Sequence, residues 1–153
     1  GTTGIQALDL VGRKLLQLQG EGLQALLEEA RACVATEAGN PALSEFLPAL
    51  AHALDDWQAV SGKIAAAAQA NPEEIGASAY DYLFHSGYVL LAWWWAKSVA
   101  AAEAGTHPPH VRQAKRETAR FYYARILPRA AMHRAAIESG AGNLMTLAAE
   151  AFG

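Results

Sequence analysis

Two of the five histidines lie close enough in the sequence to suggest a metal site. His107 and His110 flank two prolines, Pro108 and Pro109. A structural zinc ion needs about four protein ligands, and no third candidate lies beside this pair. We therefore interpret the segment as a proline-stiffened turn. The remaining histidines are scattered over predicted helices, where a core or boundary position with one hydrogen bond is expected: His52, His85 and His133.

Acidic residues could supply a general acid and a general base, and several of them are adjacent in the sequence. The pairs are Glu28-Glu29, Asp55-Asp56 and Glu73-Glu74. Neighbouring residues on a helix point about 100° apart, so the two members of a pair cannot share a proton. We interpret these pairs as solvated faces and as partners of helix dipoles.

A basic stretch towards the end of the chain could contact a phosphate group. Apart from Glu117, its charged residues are cations: Arg112, Lys115, Arg116, Arg120, Arg125, Arg129 and Arg134. The alternative, which we prefer, is pairing with acids of the predicted second and third helices, because opposite charges within one bundle need no ligand. Those acids are Glu28, Glu29, Glu37, Glu45, Asp55 and Asp56.

The sequence contains no nucleotide-binding glycine loop, no serine nucleophile elbow and no zinc signature. Cys33, the single cysteine, lies on a predicted apolar helix face and has no recognisable partner base. One cysteine cannot form an internal disulfide, which suits a reducing cytoplasm. No catalytic residue is assigned from these motifs.

A long apolar helix, predicted over residues 78–104 and able to begin as early as residue 72, must organise the rest. Its larger side chains recur at helical spacing on one side: Tyr80, Phe84, Tyr88, Leu91, Trp95 and Val99. Tyr82, Val89 and Trp93 occupy the opposite side, so the helix needs covering on more than one side. One seam cannot bury three consecutive tryptophans, and we predict an interface with another domain or subunit. Its residues are Tyr82, Val89, Trp93 and Trp94.

The other helices are predicted over residues 5–17, 21–37, 41–70, 110–139 and 144–152. Pro48 marks either a kink or a short turn before the third helix, and Pro128 is expected to kink the fifth. No stretch has the pattern of a strand. The predicted fold is all-α, an up-down helical bundle of about four or five long helices with a short C-terminal helix.

Composition and charge exclude several classes of function. The 153-residue chain is 52% hydrophobic with a net charge of −3, so it is expected to fold and not to attract nucleic acid or an anionic membrane. Its longest strongly apolar run, Tyr88 to Ala96, ends at Lys97 and is about half the length of a membrane span. No signal peptide is visible, and a cytoplasmic location is expected.

The opening residues, Gly1-Thr2-Thr3-Gly4-Ile5-Gln6, lead into a predicted helix. They resemble the end of the catalytic region of acyl-CoA dehydrogenases, where a Tyr-Glu-Gly-Thr loop precedes a helix that begins Ile-Gln. Nearly the whole chain is also similar to the C-terminal helical domain of a bacterial branch that includes methylthiopropanoyl-CoA and phenylacyl-CoA dehydrogenases. This similarity is carried by Phe121-Tyr122, Leu127-Pro128-Arg129-Ala130, Gly142-Asn143-Leu144-Met145 and Ala151-Phe152.

The resemblance implies α,β-dehydrogenation of an acyl-CoA thioester with FAD as the cofactor. The general base would be a glutamate directly before Gly1, so the chain itself would have no catalytic residue and be inactive alone. Gly1 would contact the substrate, and Thr2, Thr3 and Gly4 would lie near the FAD diphosphate. Gly4 replaces a longer polar side chain found in part of the family.

The resemblance also implies two parts, residues 1–17 as the tail of the catalytic domain and residues 18–153 as an accessory helical domain. That domain would pack on the flavin domain, at a subunit interface of a homo-oligomer or over the acyl-CoA entrance. Two alternatives stay open. One is a non-enzymatic interaction module that uses Tyr88, Trp93, Trp94 and Trp95. The other is a small-molecule-binding bundle with an apolar cavity around Trp57 and Trp95.

Overall fold

The computed structural model describes residues 1–152, so Gly153 of the predicted accessory domain lies outside the described residues. Every regular element in the described range is helical, which confirms the predicted all-α fold. In chain order the helices are α1 (Thr3–Leu8, continued by a π-helical segment, Asp9–Gln17), α2 (Glu21–Thr36), α3 (Leu47–Ala70), α4 (Glu73–Ala104), α5 (Pro109–Phe121, continued by a π-helical segment, Tyr122–Ile126), α6 (Arg129–Glu138) and α7 (Gly142–Met145). A 3-10 turn, Ala149–Phe152, follows.

The 32-residue helix α4 lies at the centre of the fold. Helices α1, α3, α5 and α6 all pack against it, and α2 packs on α3. Helix α3 buries side chains at three- and four-residue steps, including Leu50, Leu54, Trp57, Val60 and Ile64. This spacing gives one apolar face, which explains why α3 lies against α4 along much of its length.

Helix α4 begins at Glu73, so the earlier of the two predicted starts is the observed one to within one residue, and its capping contacts explain it. Pro72 stands just before the first helical residue, where a missing N–H does no harm. The Asn71 side chain accepts a hydrogen bond from the Glu73 N–H at 3.1 Å. Two acids in the first turn, Glu73 and Glu74, complement the positive end of the helix dipole.

Pro48 marks a helix start and not a kink. Helix α3 begins at Leu47, so the prediction that it extends back to residue 41 is wrong, and residues 41–46 form turns instead. Asn40 stabilises these turns, because its side-chain oxygen accepts the Ala42 N–H at 3.0 Å. The short-turn alternative therefore describes this region.

The predicted fifth helix is interrupted as expected near Pro128. Proline has no N–H to donate, and the preceding Leu127 N–H donates to the Tyr122 carbonyl five residues back, at 2.9 Å. The resulting π-helical segment directs two tyrosines at α4. The Tyr122 hydroxyl donates to the Tyr88 carbonyl at 2.8 Å, and the Tyr123 hydroxyl donates to the Ala92 carbonyl at 2.9 Å.

The C-terminal helix predicted over residues 144–152 is wrong as a continuous helix. The structure has α7 over Gly142–Met145 and a separate 3-10 turn over Ala149–Phe152. Leu144, Leu147 and Phe152 are exposed, so these three apolar side chains do not anchor the segment on the bundle. A helix this short gains little without such packing.

The predicted faces of α4 differ in part from the observed ones, although Val99 of the first predicted side is buried. Tyr82, Val89 and Trp93, which we placed at an external interface, are 2%, 0% and 3% exposed. Tyr80 and Leu91, which we placed in the core, are about half exposed. The physical reason lies in the small residues that share the buried side: Ser78, Ala79, Ser86, Ala92 and Ala96. Small side chains allow neighbouring helices to approach closely, and the larger ones between them fill the remaining space.

The tyrosine contacts predict a measurable loss of stability. Replacing Tyr123→Phe removes a half-buried hydrogen bond to α4 and should lower the free energy of unfolding by about 1 kcal/mol. Chemical denaturation followed by circular dichroism measures this change. Tyr80→Phe is the matched control, because the Tyr80 side chain is half exposed, and its unfolding midpoint should not move.

Candidate functional site

An uncharged, partly exposed stripe runs along α4 and is the main candidate interaction surface. At about 100° per residue, its members fall within roughly 100° of the helix circumference. They are Tyr80, Phe84, Gly87, Leu91, Trp94, Ser98 and Ala101, and none of them is buried. We call this surface the apolar stripe. The stripe extends from Tyr80 to Ala101, and none of its members is charged.

Two helices that pack on α4 also expose apolar side chains. Helices α1 and α6 both pack on α4. Helix α1 exposes Ile5 and Leu8, and helix α6 exposes Met132. Leu91 is 50% exposed and Trp94 is 51% exposed. Single exposed apolar residues are ordinary, but a contiguous set along one helix is typical of a surface that contacts another protein part.

The three consecutive tryptophans have three different surroundings. Trp93 is buried, Trp94 is half exposed, and Trp95 lies against Tyr122 with ring centres 6.4 Å apart. The expectation that one seam cannot bury all three is confirmed. The Lys97 ammonium lies 4.7 Å from both the Trp93 and Trp94 rings, so a cation borders the apolar stripe on one side.

The opening residues lie together at the exposed start of α1. Gly1, Thr2, Thr3 and Gly4 are all exposed, and α1 begins at Thr3. The first N–H groups of a helix have no intrahelical acceptor, and Thr2 makes no side-chain cap contact. A side chain added at Gly4 would meet no atom within 4 Å, so a ligand group could approach the backbone there.

Three basic residues of α5 and α6 pair within the chain: Arg116, Arg120 and Arg134. Arg120 binds both oxygens of Glu45 at 2.8 Å, which lowers the pKa of that carboxyl. Arg134 pairs with Asp56. These two contacts confirm the predicted pairing for the third predicted helix only. No ion pair in the described residues joins these cations to acids of the second helix, where Glu29 pairs with Lys97 instead. Arg116 pairs instead with Glu103 of α4, a partner that the sequence did not indicate.

Residues 26–148 match the protein family described as "Acetyl-CoA dehydrogenase C-terminal like". The chain belongs to this family. It is also 30% identical, over 164 aligned residues, to the "Broad-specificity linear acyl-CoA dehydrogenase FadE5" of Mycobacterium tuberculosis. That alignment covers 99% of this chain and 27% of the relative, so the chain spans about a quarter of the length of the curated relative it matches.

Family membership confirms the C-terminal acyl-CoA dehydrogenase-like domain that the sequence resemblance indicated. Within this domain, the four residues predicted to form an interface differ in their exposure to solvent. Trp94 is exposed, whereas Tyr82, Val89 and Trp93 belong to the domain's own core. Sequence reasoning missed Tyr80 and Leu91 as exposed residues. The signal that could have found them is the absence of charge on their side of α4 from Tyr80 to Ala101.

The histidines of this acyl-CoA dehydrogenase C-terminal-like domain do not assemble a metal site. Across residues 1–152, no group of three His, Cys, Asp or Glu side chains could hold a metal ion. His107 and His110 are both exposed. No helix in this range is long and apolar enough to cross a bilayer.

Two histidines of the domain are buried between α4 and α6. The His133 Nδ1–H donates to the Asp81 carboxylate at 2.7 Å, and the ring stacks on Phe84. His85 is 1% exposed and borders a cavity of about 230 Å³. Burial lowers the pKa of His85 from its ordinary 6.5 to about 4, opposed by Asp56 and reinforced by Arg134 and His133.

The buried neutral His85 predicts a pH dependence of stability. Because its pKa is lower in the folded chain, the unfolded chain binds more protons between the two values. The free energy of unfolding should therefore fall by about 2 kcal/mol as pH drops from about 7 to about 5. Denaturant titrations of the wild-type chain and His85→Leu at both pH values measure it. The variant should lose most of this fall, and His107→Leu, at an exposed position, should retain it. A pH dependence unchanged in His85→Leu would contradict the assignment.

Proposed function

We propose that this chain is the C-terminal helical part of a longer FAD-dependent acyl-CoA dehydrogenase, in which its own role is structural. Its apolar stripe would dock on the flavin-binding part or on a second subunit. The observation that carries the proposal is an uncharged, partly exposed helix face on a domain of the acyl-CoA dehydrogenase C-terminal-like family. The relative's greater length supports it, because most of that protein lies outside the alignment.

The reaction of the longer protein would remove hydrogen from the α and β carbons of an acyl thioester. The thioester carbonyl makes the α-proton acidic, and a glutamate directly before Gly1 would accept that proton. FAD, when bound, supplies the acceptor for the β-hydrogen, which leaves as hydride. The residues of this chain would orient and bind, with Gly1 beside the thioester and Thr2 and Thr3 at the FAD diphosphate.

The start of α1 fits this diphosphate role in its chemistry. Thr2 and Thr3 offer exposed hydroxyls, and the first turn offers backbone N–H groups at the positive end of the helix dipole. Gly4 offers no side chain but leaves the backbone open to a ligand. The contact would be one edge of a flavin site whose other residues come from the longer protein.

Further details of the proposal follow the sequence resemblance. Residues 1–17 would end the catalytic domain, and residues 18–153 would form the accessory domain. We place the protein in the branch similar to methylthiopropanoyl-CoA and phenylacyl-CoA dehydrogenases, as a cytoplasmic homo-oligomer. The unpaired Cys33 is consistent with a reducing compartment.

A non-enzymatic interaction module is the second candidate, and the exposed Trp94 and Leu91 favour it equally. The two functions differ in what covers the apolar stripe. Light scattering of the isolated chain, with and without the flavin-binding part of the longer protein, distinguishes them. Self-association that the added part does not change would favour the interaction module.

The division of labour predicts a clear spectroscopic result. The isolated chain should show no flavin absorbance and no dehydrogenase activity with acyl-CoA substrates. The longer protein, with the glutamate before Gly1, should show both. Replacing that glutamate by glutamine in the longer protein is the control, and it should retain flavin while activity falls by about a hundredfold or more. Activity in the isolated chain would contradict the proposal.

The docking role predicts that Leu91→Lys acts differently in the two contexts. In the isolated chain Leu91 is half exposed, so stability should hardly change. In the longer protein the lysine would be forced into a covered interface, and the domain's stability should fall by about 2 kcal/mol. Thermal unfolding of both proteins measures the difference. Ala59→Lys, on the exposed side of α3, adds the same charge and should be neutral in both. An equal loss in both contexts would place Leu91 in the domain's own core.

A further inference from the structure

A second apolar surface of the chain is concave. The π-helical segment after α1, together with α2, α3 and α4, encloses a groove of about 350 Å³. Leu15, Leu23, Trp57 and Tyr82 line its deeper part, and Lys14 and Gly22 lie among its lining residues. The volume falls at the lower end of the roughly 300–1,000 Å³ typical of small-molecule sites.

The deeper part of the groove suits hydrocarbon. Trp57 and Tyr82 are 5% and 2% exposed, and their neighbours Leu15 and Leu23 are aliphatic. The Tyr82 hydroxyl is already satisfied, since it lies 2.7 Å from Ser61 Oγ. Ser61 donates its own proton to the Trp57 carbonyl at 2.6 Å, so Tyr82 is the donor in the pair. This phenol therefore does not require a polar group from a ligand.

The charges around the groove are unbalanced. Its lining includes two cations, Arg13 and Lys14, and no acid. The Arg13 guanidinium is held by Asp9, with nitrogen–oxygen distances of 2.6 and 2.7 Å. Lys14 is exposed and makes no ion pair within the described part of the chain. The groove thus combines a largely apolar interior, in which the Trp57 Nε1–H has no hydrogen-bond partner, with a cation at Lys14 that makes no ion pair in the described residues.

We propose that this groove binds a small amphipathic anion, with its hydrocarbon tail against Leu15, Leu23 and Trp57 and its anionic group at Lys14. The site is separate from the thioester position proposed at Gly1, because Lys14 lies 13 residues farther along the chain, in the helix that begins at Thr3, and so roughly 20 Å away. The proposal does not depend on the dehydrogenase function. Of the cavity predicted around Trp57 and Trp95, it retains Trp57 alone, since Trp95 packs on Tyr122.

Isothermal titration calorimetry of the 153-residue chain with dodecanoate, below its micelle concentration, tests the proposal. Binding should occur with one dodecanoate per chain. It should be tighter than binding of dodecyltrimethylammonium, which has a similar tail and the opposite charge. Equal affinity for the two probes would overturn the role of Lys14. A stoichiometry well above one would show adsorption to exposed apolar surface, and that outcome would overturn the site.

Two glycine variants locate the binding site. Gly22 lines the groove, and a Cβ there would meet no atom within 4 Å, so Gly22→Phe should fold and abolish dodecanoate binding by occupying the groove. Gly62 is equally open but lines a neighbouring groove of about 800 Å³, so Gly62→Phe should bind as the wild type does. Circular dichroism checks that both variants fold. The reverse result would assign binding to the larger groove and overturn the proposal.

A charge variant tests the anionic contact without touching the apolar interior. Lys14→Glu, at an exposed position, should weaken dodecanoate binding by about two- to fivefold, the size expected for a solvent-exposed ion pair. The same variant should bind dodecyltrimethylammonium more tightly. Arg125→Glu, an exposed cation that does not line the groove, is the matched control and should leave both affinities unchanged. Identical effects of the two variants would overturn the assignment to Lys14.

Discussion

The structure depends on one constraint, which is that α4 carries apolar side chains around most of its circumference. A helix of this kind is stable in water only when it is covered on more than one side. Helices α3 and α6 meet part of that requirement through Tyr82, Val89 and their small neighbours. The apolar stripe from Tyr80 to Ala101 is what they leave partly exposed. Burying it at about 25 cal/mol per Å² is therefore a free-energy gain still available to a docking partner.

Signals that act locally along the chain could be read from the sequence. The Asn71 side chain accepts a hydrogen bond from the Glu73 N–H, and Pro48 lies in the first turn of α3. Pro128 interrupts the predicted fifth helix. Each of these effects needs only neighbouring backbone atoms. The all-α fold follows from the same local preferences, added over long segments. Most helix boundaries came close to the observed ones. The predicted start of α3 differed most, because turns from residue 41 to 46 precede the helix.

The orientation of α4 could not be read in this way. When apolar residues surround a helix almost evenly, the periodicity of large side chains does not identify the side that becomes the core. Close approach decides it, and residues such as Ala92 and Ala96 permit that approach better than Phe84 or Leu91 do. The residues of the candidate site could not be predicted for the same reason. Whether Trp93 or Trp94 is exposed depends on which helices pack beside each of them. The role proposed for Thr2 and Thr3 is contact with the FAD diphosphate. That contact depends on the rest of the flavin site, which these residues do not form.

The ion pairs explain why two kinds of surface can coexist on one small domain. Lys63 and Arg134 both bind Glu138, and Arg134 also binds Asp56, which ties α6 to α3 where that seam meets water. Arg116 with Glu103 does the same for α5 and α4. Paired charges at these seams keep the surface hydrated and resist burial, since covering them would strip water from ions. The residues of the apolar stripe carry no charge themselves, so covering them removes water mainly from uncharged groups, and Lys97 at the border is the nearby ion. The distribution of charge thus leaves this side of α4 as the one that a larger protein can cover at little electrostatic penalty.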